Sequence, residues 1–147
     1  MLTLLPLSYR ELHGAKDRIS FDDYLYRGGY PRLYNVDIPE AVYYSNYVTT
    51  YLDRDASGLI NASSLNQFNL FLRIAATNAG QLTNVASMAS DVGVSVNTLR
   101  AWLSILEQSY IVFLLQLYFV NSRKRLVKTP RLYFYDTGLL CYLLSGG

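Results

Sequence analysis

The sequence predicts a mainly α fold with a small antiparallel β-hairpin, organised as a helical linker over residues 1–60 and a second domain over residues 61–147. Three observations carry this prediction. Apolar residues recur at helical spacing in several separate stretches, whereas only two adjacent runs, "IVFLLQLYFV" and "RLYFY", are β-rich and joined by a short polar connection. A hydrophobic content of 51% over 147 residues is ample for a core. Capping and turn residues stand where the helical patterns begin and end.

Taken in order, residues 2–7 read as a short buried strand that Pro6 ends or places at an edge. The stretch "FDDYLYRGGYPRLYNVDIPE" reads as a turn or loop around Gly28 and Gly29, and Pro31 forces Tyr30 away from the helical region. After Pro39, read as a first-turn proline, Tyr43, Tyr47 and Tyr51 fall at i, i+4 and i+8 with Tyr44, Val48 and Leu52 beside them, one wide apolar helix face. Ser64 with Gln67 makes a capping box for a helix carrying Phe68, Phe71, Leu72, Ala75 and Ala79, which Gly80 stops. Thr83 or Asn84 caps a short helix through Asp91, Gly93 supplies a turn, and Ser95 caps a third helix with Leu99, Trp102, Leu103 and Leu106 inward. The hairpin follows, and Asp136 or Thr137 caps a last helix, "GLLCYLL". Helix, helix, helix, hairpin is the order of a winged helix-turn-helix.

The net charge of +2 is too small to announce a nucleic-acid partner, but it is unevenly spread. Residues 1–60 hold six basic and eight acidic side chains, and residues 61–147 hold seven and three, so an anionic partner would meet the second part. Cys141 is alone, which excludes an internal disulfide and a thiolate cluster and points to a reducing compartment, the cytoplasm. The longest apolar run, Tyr110–Val120, is interrupted by Gln116 and well short of the ~20 residues that span a bilayer, so no membrane is expected. The opening "MLTLLPL" lacks the basic region and cleavage site of a secretion signal.

The stretch "MASDVGVSVNTLRAWL" carries the helix-turn-helix reading. Ala89 allows close helix approach, Gly93 tolerates the left-handed turn, and Val92, Val94, Leu99 and Trp102 are apolar where helices pack. Ser95, Val96, Asn97, Arg100, Ala101 and Ser104 would then face outward, and of these only Asn97 and Arg100 have good base-reading chemistry. A protein-packing module remains the alternative to DNA contact. Arg123, Lys124, Arg125, Lys128 and Arg131 form the one cation cluster, suited either to phosphates or to a solvated hairpin tip. Arg54, between Asp53 and Asp55, reads as an ion-pair cluster or as an arginine poised toward a phosphate. The 14 tyrosines follow helix and strand periods, as packing residues do, and His13 has no partner at ligand spacing. No glycine is followed by lysine, so the chain cannot cradle ATP in a phosphate-binding loop, and no self-contained catalytic or metal site is legible.

Five segments occur in a telling order: "LLPLSYREL", "YLYRGGYPRL", "YVTTYLDRD", "VASMASDVGVSVNTLRAWLSILEQSYIV" and "KRLVKTPRLYFYDTGLLCYLL". With them the chain resembles prokaryotic AAA-type ATPases in which a P-loop core is followed by a winged-helix domain of unknown function. The resemblance implies that "LLPLSYREL" is the exit strand of an ATPase core, that the core with its ATP and Mg²⁺ sites lies before Met1, and that a nuclease-like region follows Gly147. It implies that Gly28, Gly29 and Pro31 form the loop joining core to appendage, and that Arg54 senses nucleotide at the core or a neighbouring subunit.

The expected function is therefore that of a regulatory C-terminal region, not itself an enzyme and without a cofactor of its own, coupling the nucleotide state of its ATPase core to a DNA or protein partner. The rival expectation is a free-standing DNA-binding regulator using Asn97, Arg100 and the cations of residues 123–131. Self-association, with the strand at residues 2–7 as a pairing edge, is a third.

Overall fold

The computed structural model describes residues 4–15, 19–116 and 129–146. Among them are eight α-helices and a two-stranded antiparallel sheet. The chain divides into two compact units, Met1–Ile60 with Tyr135–Gly147, and Asn61–Phe134. The C-terminal helix, expected to close the second domain, thus belongs to the first unit.

Of the strand expected over residues 2–7, described residues 4–7 carry no strand pairing, although Leu7 N–H donates to the Gly29 carbonyl at 2.7 Å. Helix α1 (Tyr9–Ala15) starts on a reciprocal box in which Ser8 N–H donates to Glu11 Oε2 at 2.7 Å and Glu11 N–H to Ser8 Oγ at 3.4 Å. Helix α2 (Phe21–Arg27) is capped by Ser20, whose Oγ accepts from Asp23 N–H. Gly28 then takes φ +84°, a left-handed value open to glycine. A single turn, α3 (Arg32–Asn35), leads to α4 (Glu40–Tyr51), with Pro39 just ahead of its first residue. The chain leaves α4 through a wide π-type turn, Leu52–Ala56. Helix α8 (Thr137–Leu144) packs against α2 and α4. Leu33, Tyr44, Leu139 and Leu143 are buried here, so the first unit has an apolar centre of its own.

The second unit is built on α5 (Leu65–Thr77), α6 (Val85–Val92) and α7 (Val96–Gln108). The expected capping box at Ser64 does not form. Ser64 ends a 3₁₀ turn at ψ 0°, with no side-chain cap, and Gln67 instead donates to the Gly93 carbonyl at 3.3 Å. Asn84 and Ser95 do cap, accepting from Ser87 and Thr98 N–H, and Gly93 between them is left-handed at φ +81°. Phe68, Phe71 and Trp102 pack their rings at 5.3–6.0 Å between centroids, over buried Leu72, Met88, Leu99 and Leu106. Strand β1 (Val112–Leu115) pairs antiparallel with β2 (Arg131–Phe134), Phe113 opposite Tyr133 with stacked rings. Residues 80–83 extend this sheet: Gly80 N–H donates to Leu132 O, Leu132 N–H to Gln81 O and Thr83 N–H to Pro130 O, around a bridge from Leu82 to Arg131.

Candidate interaction surface

Two features of the structure concentrate chemistry, one in each unit. In the second unit, Ser95 starts α7 so that Leu99, Trp102, Leu103 and Leu106 face the core. That leaves Ser95, Val96, Asn97, Arg100, Ala101 and Ser104 exposed, the set the sequence assigns to the outward face. Asn97 and Arg100, one turn apart, share that face.

Arg100 borders two hollows. The larger, about 650 Å³, is lined by apolar Leu82, Val85, Val96 and Pro130 and by polar Asn84 and Thr129. The smaller, about 360 Å³, continues along α7 past Leu103 and Ser104 to Glu107, with Leu114 of β1 opposite. Thr83 lines both. It is 4% exposed, and its hydroxyl has no hydrogen-bond partner among the described residues. A buried hydroxyl left unpaired costs about 1–3 kcal/mol.

The cation cluster is only partly in view. Arg123, Lys124, Arg125 and Lys128 lie outside the described residues. Arg131 is exposed on β2, and its guanidinium donates to the Gly80 carbonyl at 2.7 Å, which ties it to its own sheet. Arg54 lies in the π-type turn, exposed between exposed Asp53 and Asp55, and pairs with neither among the described residues.

In the first unit the structure joins two sequence segments that reading along the chain leaves apart. Asp136, 3% exposed, caps α8 by accepting from Leu139 N–H at 2.8 Å. The same carboxylate accepts from Gly29 N–H at 2.7 Å and from the Tyr44 hydroxyl at 2.7 Å. The Tyr44 hydroxyl also lies 2.9 Å from the Arg27 carbonyl, so its single proton has two acceptors and the carboxylate is the nearer. Small residues make this approach feasible. A Cβ on Gly138 would meet the Arg27 carbonyl at 2.6 Å, and one on Gly29 would collide with the Leu7 backbone. The "GGYP" and "DTGL" segments therefore form one buried polar knot, with the charge held by three donors.

Beside the knot, four tyrosines pack ring on ring: Tyr30 meets Tyr43, Tyr44 and Tyr47, and its hydroxyl bonds that of Tyr47 at 3.0 Å. Burial pushes the Tyr30 and Tyr44 phenols far above the ordinary tyrosine range, with the neighbouring Tyr47 and the Asp136 charge, respectively, adding to the effect. These rings serve as packing, the role their helical spacing suggests. Among the described residues no cluster of three or more His, Cys, Asp or Glu could hold a metal ion, and no helix is long and apolar enough to cross a membrane.

Comparison with known proteins places these features in a family. Two curated proteins, the uncharacterized protein Rv2008c of Mycobacterium tuberculosis and the uncharacterized protein Mb2031c of Mycobacterium bovis, are each 34% identical over 124 residues, or 81% of this chain. The chain spans 27% of the length of these relatives. No solved structure matches. A family model, Domain of unknown function (DUF8612), matches residues 18–146, from before α2 to the end of α8, and so takes in the glycine pair, the surface of α7 and Asp136. The chain belongs to this DUF8612 family.

Proposed function

We propose that this chain is the regulatory, non-catalytic arm of an AAA-type ATPase: a helical linker joined to a winged helix-turn-helix that engages a protein partner. The order of the second unit supports the winged-helix reading. A helix, an extended segment paired to the sheet, two helices about a left-handed glycine and an antiparallel strand pair follow one another as in that fold. The curated relatives, of which the chain spans 27%, are long enough to hold an ATPase core beside the matched part.

The observation that carries the choice of a protein partner is the surface of α7. Of its six exposed residues only Arg100 is charged, and the hollow that Arg100 borders is lined by Leu82, Val85, Ala86, Val96 and Pro130 with the neutral polar residues Thr83, Asn84 and Thr129. Phosphate affinity grows with the number of cations that meet the backbone, so a single arginine there contributes little, whereas apolar hollows with a few polar groups suit protein or small-ligand recognition. ATP and Mg²⁺ would be held by the core. The residues present here do not form a nucleotide cradle, because no glycine precedes a lysine and Arg54 stands between two carboxylates. On this reading Arg54 reports on a nucleotide held by the core or by a neighbouring subunit, and the lone, half-buried Cys141 fits a cytoplasmic assembly.

A second reading, a free-standing DNA-binding regulator, is favoured by one specific feature: Asn97 and Arg100 are both exposed on α7, with side chains that can pair with adenine and guanine. The non-catalytic reading is tested by ATP hydrolysis. The purified chain is expected to hydrolyse ATP no faster than buffer. A rate well above buffer that disappears on Arg54→Ala would overturn it.

A further inference from the structure

We propose that the hollow along α7 is a docking groove for an extended peptide segment that carries an acidic side chain, a basic side chain four residues away, and an aliphatic side chain midway between them. The inference rests on the protein-partner reading above and specifies the partner's chemistry. Arg100, Leu103, Ser104 and Glu107 form one stripe of α7, at i, i+3, i+4 and i+7. Arg100 makes no ion pair among the described residues. At 1.5 Å per residue it stands about 10 Å from Glu107 along the helix axis. In an extended chain alternate side chains share a face, so residues i, i+2 and i+4 line one side over about 13 Å, a span that the long Arg100 and lysine side chains bring within reach. One peptide can therefore set an acid against Arg100 and a base against Glu107 with an aliphatic side chain over Leu103 and Leu114.

Thr83 supplies an independent sign of an occupant. It lines both hollows, and its buried hydroxyl, unpartnered among the described residues, gains a partner if a seated peptide turns the side chain toward its amide or carbonyl. A duplex backbone fits the stripe less well. It is anionic throughout, and Glu107 would repel the phosphates that Arg100 attracts.

The test is an NMR titration of the ¹⁵N-labelled full chain with the capped peptide Ac-Ala-Glu-Ala-Leu-Ala-Lys-Ala-NH₂, its neutral form with Gln at both charged positions, and a form with Lys at both. The Glu/Lys peptide is expected to give saturable shifts centred on Thr83, Arg100 and Glu107 and to bind about fivefold or more tighter than the neutral form. Arg100→Glu should reverse the order, so that the Lys/Lys peptide binds best. Thr83→Val, nearly isosteric and free of the unpaired hydroxyl, should fold normally and weaken binding about threefold, the loss of one ordinary hydrogen bond. Equal affinity for all three peptides, or shifts centred elsewhere, would overturn the groove assignment while leaving the protein-partner reading standing. Nanomolar binding of a specific DNA duplex at the same surface would overturn both.

Discussion

Removing the Asp136 carboxylate is expected to be the most damaging single truncation in the first unit. In Asp136→Ala the Tyr44 hydroxyl can turn to the Arg27 carbonyl, already 2.9 Å away, and so keeps a partner. The Gly29 and Leu139 amides cannot turn, and both bonds they lose are buried. Two orphaned buried donors at about 1–3 kcal/mol each, one of them also the cap of α8, give a loss of about 4 kcal/mol. Against a total stability of about 5–15 kcal/mol this is a large fraction. With a urea dependence of about 2 kcal/mol per molar, the unfolding midpoint followed by circular dichroism should fall by about 2 M. Amide exchange at Gly29 and Leu139 should accelerate most. Asp136→Asn should cost about half as much, because its remaining oxygen can serve Leu139 and Tyr44 while its amide group faces Gly29. A loss under about 1 kcal/mol for Asp136→Ala, or an equal loss for Asn and Ala, would refute this account of the knot.

Glycine size and tyrosine burial give two further expectations. Gly138→Ala would press a methyl against the Arg27 carbonyl and the Tyr44 hydroxyl and should cost about 3 kcal/mol. Gly58→Ala, with nothing within 4 Å, should stay within about 0.5 kcal/mol, and equal thermal midpoints for the two variants would contradict the packing described. At alkaline pH, burial holds the Tyr34 phenol up to about 12, with the Arg27 guanidinium pulling it down in part, and burial raises Tyr30 and Tyr44 further. The unfolded chain releases these protons near pH 10, so stability is intact below about 10 and falls as the pH rises from there through about 12. The urea midpoint should be lower at pH 11 than at pH 9, and phenolate absorbance should show the buried tyrosines ionising only with unfolding.

What the sequence made legible follows the range of the interactions involved. The turn between α6 and α7 could be read because its determinants are local: Asn84 and Ser95 cap within three residues, and Gly93 provides the one left-handed position between them. The short helices α1 and α2 went unread, although Ser8 with Glu11 and Ser20 with Asp23 are capping pairs in plain view, because neither helix is long enough to display an apolar period. The same kind of pair misled at Ser64, where the preceding 3₁₀ turn fixes the backbone and Gln67 finds Gly93 instead. The knot at Asp136 was beyond local reading. Its carboxylate could be seen as a cap for α8, but its partner Gly29 lies 107 residues away, and only folding reveals why glycines flank it. On α7 the outward residues were legible from period alone, whereas the hollow that Arg100 borders depends on Leu82 and Pro130, brought there by the added sheet segment.

The central claim, that the exposed face of α7 engages protein rather than DNA, is tested most directly by fluorescence anisotropy of labelled duplexes titrated with the full chain at 50 and 200 mM salt. The account predicts binding no tighter than micromolar, indifferent to sequence and lost at the higher salt, with Asn97→Ala and Arg100→Ala changing it little. Nanomolar binding to one sequence that survives 200 mM salt and collapses on either substitution would contradict it.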